Sequence, residues 1–349
     1  MNSKKNTNII KDIIQSDIQS LETDLFKKES AKECLIIKPV NVWMEEAKNR
    51  PIPNMLFSEL WYENEVCILY ADTNVGKSIL AVQIAQSISS GVPIKNFKLE
   101  AQAQKVLYLD FELSDKQFEK RYSIDYKNHF IFHSNFLRAE INPMLDIPKP
   151  YKGPEDYLIA KLNGIIEKHK AKVVIIDNLT FLQNDNEKAK NALELMKQLK
   201  MISKQQNVSV MVLAHTPKRD ESKAISVNDL AGSKMLSNFC DSAFAIGKST
   251  EDPNSRYLKQ IKQRNTEHLY HTNNVIICLL EKDYNFLGFR FRFFDSESNH
   301  LRQITTNTLE DRDAEMISLV KEGLSKVAIA DKLNVSEGAI RKRLKKLAI

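Results

Sequence analysis

The eight residues ADTNVGKS, at positions 71–78, constrain this chain more than any other feature of its sequence. An apolar run precedes them and an amphipathic stretch follows, which is the strand–loop–helix context of a phosphate-binding P-loop. Backbone N–H groups in such a loop, together with the start of the helix, face an anion. Ala71 stands where the G-x-x-x-x-G-K-[ST] pattern begins with glycine. The sequence predicts a phosphate site here, and the alternative is an ordinary turn with a chance Gly-Lys-Ser.

The predicted ligand of this loop is ATP, bound together with Mg²⁺. Lys77 would reach the β- and γ-phosphates, and the Ser78 hydroxyl would bind the metal ion. Nucleotide contacts are predicted along the whole loop and into the start of the helix: Ala71, Asp72, Thr73, Asn74, Val75, Gly76, Lys77, Ser78 and Ile79.

Short apolar runs alternate with helical stretches through the middle of the chain. Continuous apolarity is typical of strands covered on both faces, so the sequence predicts an α/β fold with a mainly parallel central sheet. The predicted strands are Val66–Tyr70, Val106–Asp110, Val173–Asp177 and Val208–Ala214. The predicted helices are Ile79–Ser89, Ser114–Tyr122, Tyr157–His169 and Lys188–Gln205. After Arg256, further apolar segments predict closing antiparallel strands.

Polar side chains stand where three of these strands end. Asp177 closes one strand and would support Mg²⁺ as a Walker B carboxylate. Glu112 follows another strand and would orient and deprotonate the attacking water, with Asp110 as a competing base and capping at Ser114 as the structural alternative. His215 ends a third strand and would sense the γ-phosphate, although a lone histidine more often has a structural role.

The order of these motifs resembles that of the RecA-like ATPases, especially the RepA-like plasmid helicases and the DnaB-type replicative helicases. The resemblance covers residues 56–294 and rests on ADTNVGKS, YLDFELS, VVIIDN, VLAHT, LAGSKML and KQIKQRN, in that order. It implies a RecA fold in which ATP is hydrolysed between neighbouring subunits of a homo-oligomeric ring or filament, and a ring is the arrangement we expect. We expect that ring to be a hexamer.

The resemblance also gives a role to the basic residues Lys262 and Arg264. In DnaB-like proteins the corresponding pair projects into the adjacent subunit's ATP site. Both residues are therefore expected to act in trans on the γ-phosphate, as arginine fingers do. Their alternation places both on one face of a strand, and the alternative is a solvated basic strand.

A polar segment after His215 is the first predicted contact with DNA. It carries Lys218, Arg219 and Lys223, and in RecA-like motors the loop at this position faces a central channel and grips single-stranded DNA. The segment has no aromatic side chain, so charge contacts with the DNA backbone would dominate. A solvated surface loop is equally compatible with the sequence.

The C-terminal segment resembles the helix-turn-helix of bacterial regulators. Residues 325–336 fit the pattern S-x-x-x-I-A-x-x-L-x-V-S, and Ser336 would cap a third helix with a buried apolar stripe. The other face of that helix is basic, and the resemblance implies that it enters the major groove of DNA. A helical docking module with a solvated basic face is the alternative. The predicted DNA contacts are Arg341, Lys342 and Lys345.

Composition limits the remaining classes of protein. The net charge of +6 favours an anionic partner, and four scattered cysteines without a CxxC pair indicate neither a disulfide framework nor a zinc site. No apolar run reaches the ~18 residues of a membrane span, so no membrane contact and a cytoplasmic location are expected. The predicted domains are a flexible or helical arm at 1–45, a RecA-like ATPase domain at 46–296, a linker at 297–308 and a helix-turn-helix domain at 309–349.

Together these patterns predict an ATPase that translocates on DNA or unwinds it, in the replication or mobilisation of a plasmid or mobile element. The main alternative is a DNA-binding ATPase switch that uses ATP to control assembly rather than to move. An ATPase that acts on a protein or a metabolite is a third alternative, and it would leave the basic C-terminal helix without a role.

Overall fold

The computed structural model describes residues 34–142, 144, 146–151, 153–178, 188–216, 219–230, 233–302, 306–333 and 335–347. The chain divides into two compact units, Met1–Ile52 and Pro53–Ile349, so the first boundary falls after Ile52 rather than after residue 45. In the first unit, helix α1 (Val40–Lys48) buries none of its side chains. The remainder of the predicted arm, 1–33, lies outside the described residues.

The second unit carries the strands and the other helices. Its strands are β1 (Met55–Phe57), β2 (Trp61–Tyr62), β3 (Val66–Ala71), β4 (Val106–Asp110), β5 (Ser123–Ile124), β6 (Asn128–His129), β7 (Phe136–Ala139), β8 (Val173–Asp177), β9 (Ser209–His215), β10 (Ser242–Lys248), β11 (Ser255–Lys262), β12 (Val275–Asp283) and β13 (Phe286–Asp295). Its helices are α2 (Lys77–Ser90), α3 (Asp115–Arg121), α4 (Pro154–His169), α5 (Lys188–Gln206), α6 (Ser233–Phe239), α7 (Thr306–Lys321), α8 (Lys326–Lys332) and α9 (Glu337–Lys346). The predicted central strands and the helices between them are confirmed, with ends that agree within three residues.

One large sheet organises this unit. Nine strands lie in the order β13-β12-β11-β10-β3-β9-β8-β4-β7. The strands from β10 to β7 in this order are parallel, and β11, β12 and β13 extend the sheet antiparallel. The predicted α/β fold, with a mainly parallel sheet and antiparallel closing strands, is confirmed.

Helices cover both faces of the sheet, as the apolar strands require. Every residue of β3 and of β8 is buried. Helix α2 packs Leu80 and Ile84 against one face, while α4 and α5 pack Leu162 and Leu199 against the other. Each of these buried side chains contributes about 1.5–3 kcal/mol to the stability of the fold.

The parallel strands bring the predicted site residues to one edge of the sheet. The carboxyl ends of β3, β4, β8 and β9 lie there because their registers align Ala71 with His215 and Asp110 with Asp177. Open α/β sheets bind ligands at this edge. The candidate site is therefore assembled from four separate turns.

The first four residues of the predicted linker at 297–308 are folded in the structure. Glu297–His300 form a short 3-10 helix, and both of these end residues are completely buried. The Glu297 carboxylate accepts hydrogen bonds from the Ile225 backbone (2.7 Å) and from the Lys259 ammonium (2.5 Å). A buried carboxylate needs such partners, so residues 297–300 pack into the second unit and do not form a free linker.

The last three helices form a small core of their own. Ser336 caps α9 as predicted, because its hydroxyl accepts a hydrogen bond from the backbone of Ala339 at 3.2 Å. The apolar stripe of α9 is buried against α7 and α8. The buried residues of this core are Met316, Leu319, Ile329, Ala330, Ile340 and Leu344.

Three further observations concern the described part of the chain. No helix there combines the length and the apolarity that crossing a bilayer requires. Cys67, Cys240 and Cys278 are buried as free thiols, and Cys34 is free and exposed. Within those residues, no group of three or more His, Cys, Asp or Glu side chains could hold a metal ion.

Candidate nucleotide site

The loop between β3 and α2 has the backbone that a phosphate-binding turn needs. Gly76 caps the start of α2 with a φ of 110°, a conformation that residues with a Cβ rarely adopt. A Cβ at this position would lie 2.9 Å from the ring of Phe289. Both the backbone and the packing therefore require glycine. The first N–H groups of α2 lack partners within the helix, so they can bind an anion.

The Lys77 side chain is buried at the start of α2, with only 6% of its surface exposed. Its ammonium donates hydrogen bonds to the carbonyl oxygens of Ala71 (3.0 Å) and Asp72 (3.1 Å) and lies 3.1 Å from Nδ1 of His215. Burial lowers the pKa of Lys77, and nearby carboxylates act in the opposite direction. Since an ammonium can only donate, Nδ1 of His215 accepts in this contact.

Glu112 follows β4 and lies on the other side of His215, near its second ring nitrogen, Nε2. Its Oε1 atom lies 3.4 Å from Nε2 of His215 and accepts a short hydrogen bond from the Asn178 amide. The hydrogen bond with His215 lowers the pKa of Glu112, while burial acts against it. The carboxylate is therefore ionised at neutral pH. His215 thus lies between the two residues predicted to act on the terminal phosphate, Lys77 and Glu112.

Asp110, the competing base in the sequence, has a structural role instead. One carboxylate oxygen accepts hydrogen bonds from the backbone N–H groups of Glu112 (3.2 Å) and Leu113 (3.0 Å), and the other accepts from Arg138 (2.9 Å). Asp110 therefore shapes the turn that presents Glu112. The cap of α3 is made by Ser114 with a glutamine of the first helical turn, so Glu112 takes no part in capping.

Asp177 ends β8 in a buried position that suits a ligand of hydrated Mg²⁺. Tyr108 donates a hydrogen bond of 2.6 Å to its Oδ2 atom, whereas Oδ1 is buried and receives no hydrogen bond of normal geometry from any described residue. Burial raises the pKa of Asp177 to about 6, and the hydroxyls of Tyr108 and Ser78 offset part of that effect. Mg²⁺ prefers oxygen donors and keeps several waters. The Asp177 carboxylate and the Ser78 hydroxyl that acts on it are therefore oxygen donors of the kind that the ion prefers.

A cleft of about 330 Å³ lies between the P-loop and Glu112. The P-loop, Glu112 and His215 line it, and so do Arg121 and Leu280. Arg121 ends α3, and its Nη1 atom is buried without a hydrogen-bond partner among the described residues. A guanidinium at the wall of such a cleft is suited to phosphate oxygens. Arg121 belongs to none of the sequence motifs, and its one signal in the sequence is its place at the end of the helix after Glu112.

Lys262 and Arg264 lie at the opposite edge of the sheet from this cleft. Strand β11 is antiparallel to β10, so Lys262 pairs with Ala243 near the beginning of β10. The Lys262 ammonium donates to two backbone carbonyls in and after the last turn of α6, at 2.5 and 2.8 Å. Arg264 is 53% exposed and lies 3.4 Å from the Asp241 carboxylate. The structure therefore does not bring this pair to the P-loop of its own chain.

Of the three basic residues after β9 that were predicted to contact DNA, the two that the structure describes differ in how far they are exposed. Lys218 lies outside the described residues. The Arg219 side chain is nine-tenths buried, lies 3.8 Å from the Asp229 carboxylate and donates to the carbonyl of Lys223. Contrary to the prediction, Arg219 is not presented to DNA, because its guanidinium stabilises its own loop. Lys223 is exposed, 3.4 Å from Asp220.

The predicted DNA contacts on α9 are all at the surface. Arg341, Lys342 and Lys345 are exposed, and Arg341 forms an ion pair of 2.7 Å with Glu337 one turn earlier. Arg343 points differently, because it pairs with Asp313 of α7 at 2.6 Å. The basic face of α9 therefore excludes Arg343.

Comparison with known proteins identifies the family. A family model of the AAA domain, AAA_25, matches residues 35–221, which is more than half of the chain. Among solved structures, the chain is similar to the KaiC-like protein PH0186 from the hyperthermophilic archaeon Pyrococcus horikoshii OT3. The two are 13% identical with a TM-score of 0.43, over 66% of this chain and 90% of that one. No curated protein matches the sequence. The chain therefore belongs to the AAA_25 family of AAA domains and is a nucleotide-hydrolysing P-loop ATPase.

Proposed function

We propose that this ATPase is a DNA helicase or translocase that hydrolyses ATP between the subunits of a homo-oligomeric ring, a hexamer, and that it serves the replication or mobilisation of a plasmid or mobile element. The observation that carries the proposal is the separation of two basic groups, since Lys77 lines the cleft and Arg264 lies at the far edge of the sheet. Arg264 cannot contact its own cleft, so a ring of head-to-tail subunits would give it a neighbour's phosphate to bind. The resemblance of the motif order to RepA-like and DnaB-type helicases supports the same arrangement.

In this proposal each residue of the cleft has its own role in ATP hydrolysis. Lys77 and Arg121 would neutralise charge on the β- and γ-phosphates as it develops in the transition state. Glu112 would accept a hydrogen bond from the attacking water and take its proton. His215 contacts both Lys77 and Glu112, so loss of the γ-phosphate would change its partners and move the loop after β9.

Ser78 and Asp177 are the residues that would hold Mg²⁺. The ion, when bound, offsets negative charge on the phosphates. The Ser78 hydroxyl and the Asp177 carboxylate would supply two of its contacts, either directly or through water.

Arg264→Ala is expected to lower ATP turnover by about 10³-fold or more, as loss of an arginine finger does. The variant should recover activity when it is mixed with Lys77→Met, which is inactive alone. In a random 1:1 ring, roughly a quarter of the interfaces would join an intact Lys77 to an intact Arg264. Turnover should therefore approach a quarter of the wild-type rate in a steady-state ATPase assay of the mixture.

The control for this experiment is Arg290→Ala, which removes an exposed arginine of β13 that pairs with Glu281. It should hydrolyse ATP at the wild-type rate. If Arg264→Ala were as active as this control, or if mixing restored nothing, Arg264 would not complete a neighbour's site.

The basic face of α9 provides the proposed contact with duplex DNA. Replacing Arg341, Lys342 and Lys345 with glutamate should weaken duplex binding and reduce the slope of log K against log salt by about 2 to 3, because each phosphate contact contributes about 0.9 to that slope. Fluorescence anisotropy across a salt series measures both quantities. The matched control reverses the charge of three exposed lysines on the two preceding helices, Lys321 of α7 and Lys326 and Lys332 of α8. An equal loss in the control would mean that net charge, and not α9, governs binding.

The proposed function is tested by ATP turnover with and without single-stranded DNA, together with strand separation on a forked duplex. A helicase should show DNA-stimulated turnover and ATP-dependent unwinding. A DNA-binding ATPase switch would instead bind duplex through the C-terminal helices, turn over slowly and leave the fork intact. That result would replace the motor proposal with the switch.

A further inference from the structure

Arg256 lies directly behind the P-loop, although no motif in the sequence marks it. Strand β11 is antiparallel to β10, and Arg256 pairs with Lys248 at the carboxyl end of β10. The antiparallel extension of the sheet therefore brings the beginning of β11 to the edge that carries the cleft. Only 5% of the Arg256 surface is exposed.

The guanidinium of Arg256 is held by backbone carbonyls. Its Nε atom donates to the carbonyl of Val75 at 3.0 Å, and Nη1 donates to the carbonyls of Pro253 (2.7 Å) and Ser255 (2.8 Å). No carboxylate among the described residues forms an ion pair with it. Burial lowers the pKa of Arg256, and Asp252 offsets part of that effect. A buried cation without a paired anion is costly to a fold, so some other interaction must compensate that cost.

The contact with Val75 determines how the P-loop faces the cleft. The carbonyl of Val75 and the N–H of Gly76 belong to one peptide unit, and in a trans peptide these two groups point in opposite directions. The carbonyl faces Arg256, so the N–H faces away from it, on the side where Gly76 lines the cleft. Glycine backbone rotates readily, so without Arg256 this peptide could turn over and withdraw its N–H from a phosphate.

We propose that Arg256 is a positioning residue of the ATP site: it fixes the Val75–Gly76 peptide with its N–H toward the phosphates, and the bound triphosphate compensates its buried charge. The inference rests on the proposed binding of ATP at the P-loop. In this role Arg256, a residue of β11, acts on the backbone of the P-loop and does not contact the nucleotide.

Three variants test this role: Arg256→Met, which removes the charge and the donors, Arg256→Lys, which keeps the charge and loses Nε, and Arg290→Met as an exposed control. The measurements are the Kd of Mg–ATP, at a temperature where each circular dichroism spectrum matches wild type, and the Tm of the nucleotide-free protein. Arg256→Met should weaken ATP binding at least about tenfold. Its nucleotide-free Tm should equal or exceed that of wild type, because an uncompensated buried charge has been removed. The Kd and the Tm of Arg256→Lys should lie between those of wild type and Arg256→Met. Arg290→Met should have the Kd and the Tm of wild type.

A purely structural arginine gives a different result. In that case Arg256→Met would lower the nucleotide-free Tm and leave the Kd for ATP unchanged, which would overturn the proposal. If Arg256→Met does not fold, Arg256→Lys decides, and an unchanged Kd in that variant would overturn the proposal too. Failure of wild type to bind ATP would refute the nucleotide site itself, so the two failures are distinct.

Discussion

Replacing Glu112 with glutamine is expected to lower kcat for ATP hydrolysis by about 10²–10⁴-fold, the usual contribution of a general base. Glutamine keeps the size of the side chain and its contact with Asn178, but it cannot take a proton from water. The pKa of Glu112 is held below its usual value by His215, so the wild-type carboxylate is already ionised at neutral pH. The Kd for ATP should change little, because Glu112 is expected to contact the water rather than the phosphates. Steady-state turnover and equilibrium nucleotide binding measure the two effects.

Glu119→Gln is the matched control for this substitution. Glu119 lies on α3, close to Glu112 in sequence, and pairs with Lys116 and His129 outside the cleft. Its replacement should leave kcat unchanged. If Glu112→Gln kept most of its activity, or if the control lost as much, another group would have to be the base.

Lys77→Met is expected to abolish detectable ATP binding at ordinary nucleotide concentrations. Removing one partner of a buried, hydrogen-bonded charge pair costs about 2–5 kcal/mol, which corresponds to roughly 30- to 5,000-fold in affinity. The nucleotide-free protein should not lose stability, because burial lowers the pKa of Lys77 and the charged form is already disfavoured. Isothermal titration with Mg–ATP and a thermal denaturation curve measure the two quantities.

Lys95→Met serves as the control for charge removal, since Lys95 is exposed beyond the end of α2. It should bind and hydrolyse ATP as wild type does. Near-normal hydrolysis by Lys77→Met would contradict the assignment of the P-loop, and a large fall in its nucleotide-free Tm would contradict the argument from burial.

The parts of this site that were predictable from sequence are those with local signals. Apolar strands and the GKS loop are contiguous in the chain, so Lys77, Ser78 and Asp177 could be placed before the structure was known. Glu112 could be placed for the same reason, because it directly follows a strand. A parallel sheet then brings the ends of its strands to one edge.

The parts that sequence did not reveal depend on long-range contacts. Arg121 and Arg256 reach the cleft or its loop from α3 and β11, and nothing adjacent in sequence marks either of them. Arg219 was assigned to DNA because the sequence alone does not distinguish a buried, paired arginine from an exposed one. Glu297 was assigned to a linker because its partner Lys259 is distant in sequence and becomes a neighbour only after folding.

The most direct test of this account is a structure of Glu112→Gln bound to ATP and Mg²⁺. The account predicts the γ-phosphate within hydrogen-bond distance of the Lys77 ammonium, Mg²⁺ beside the Ser78 hydroxyl and a water between the γ-phosphate and residue 112. A triphosphate bound elsewhere, or one in this cleft with residue 112 turned away from its terminal phosphate, would contradict it.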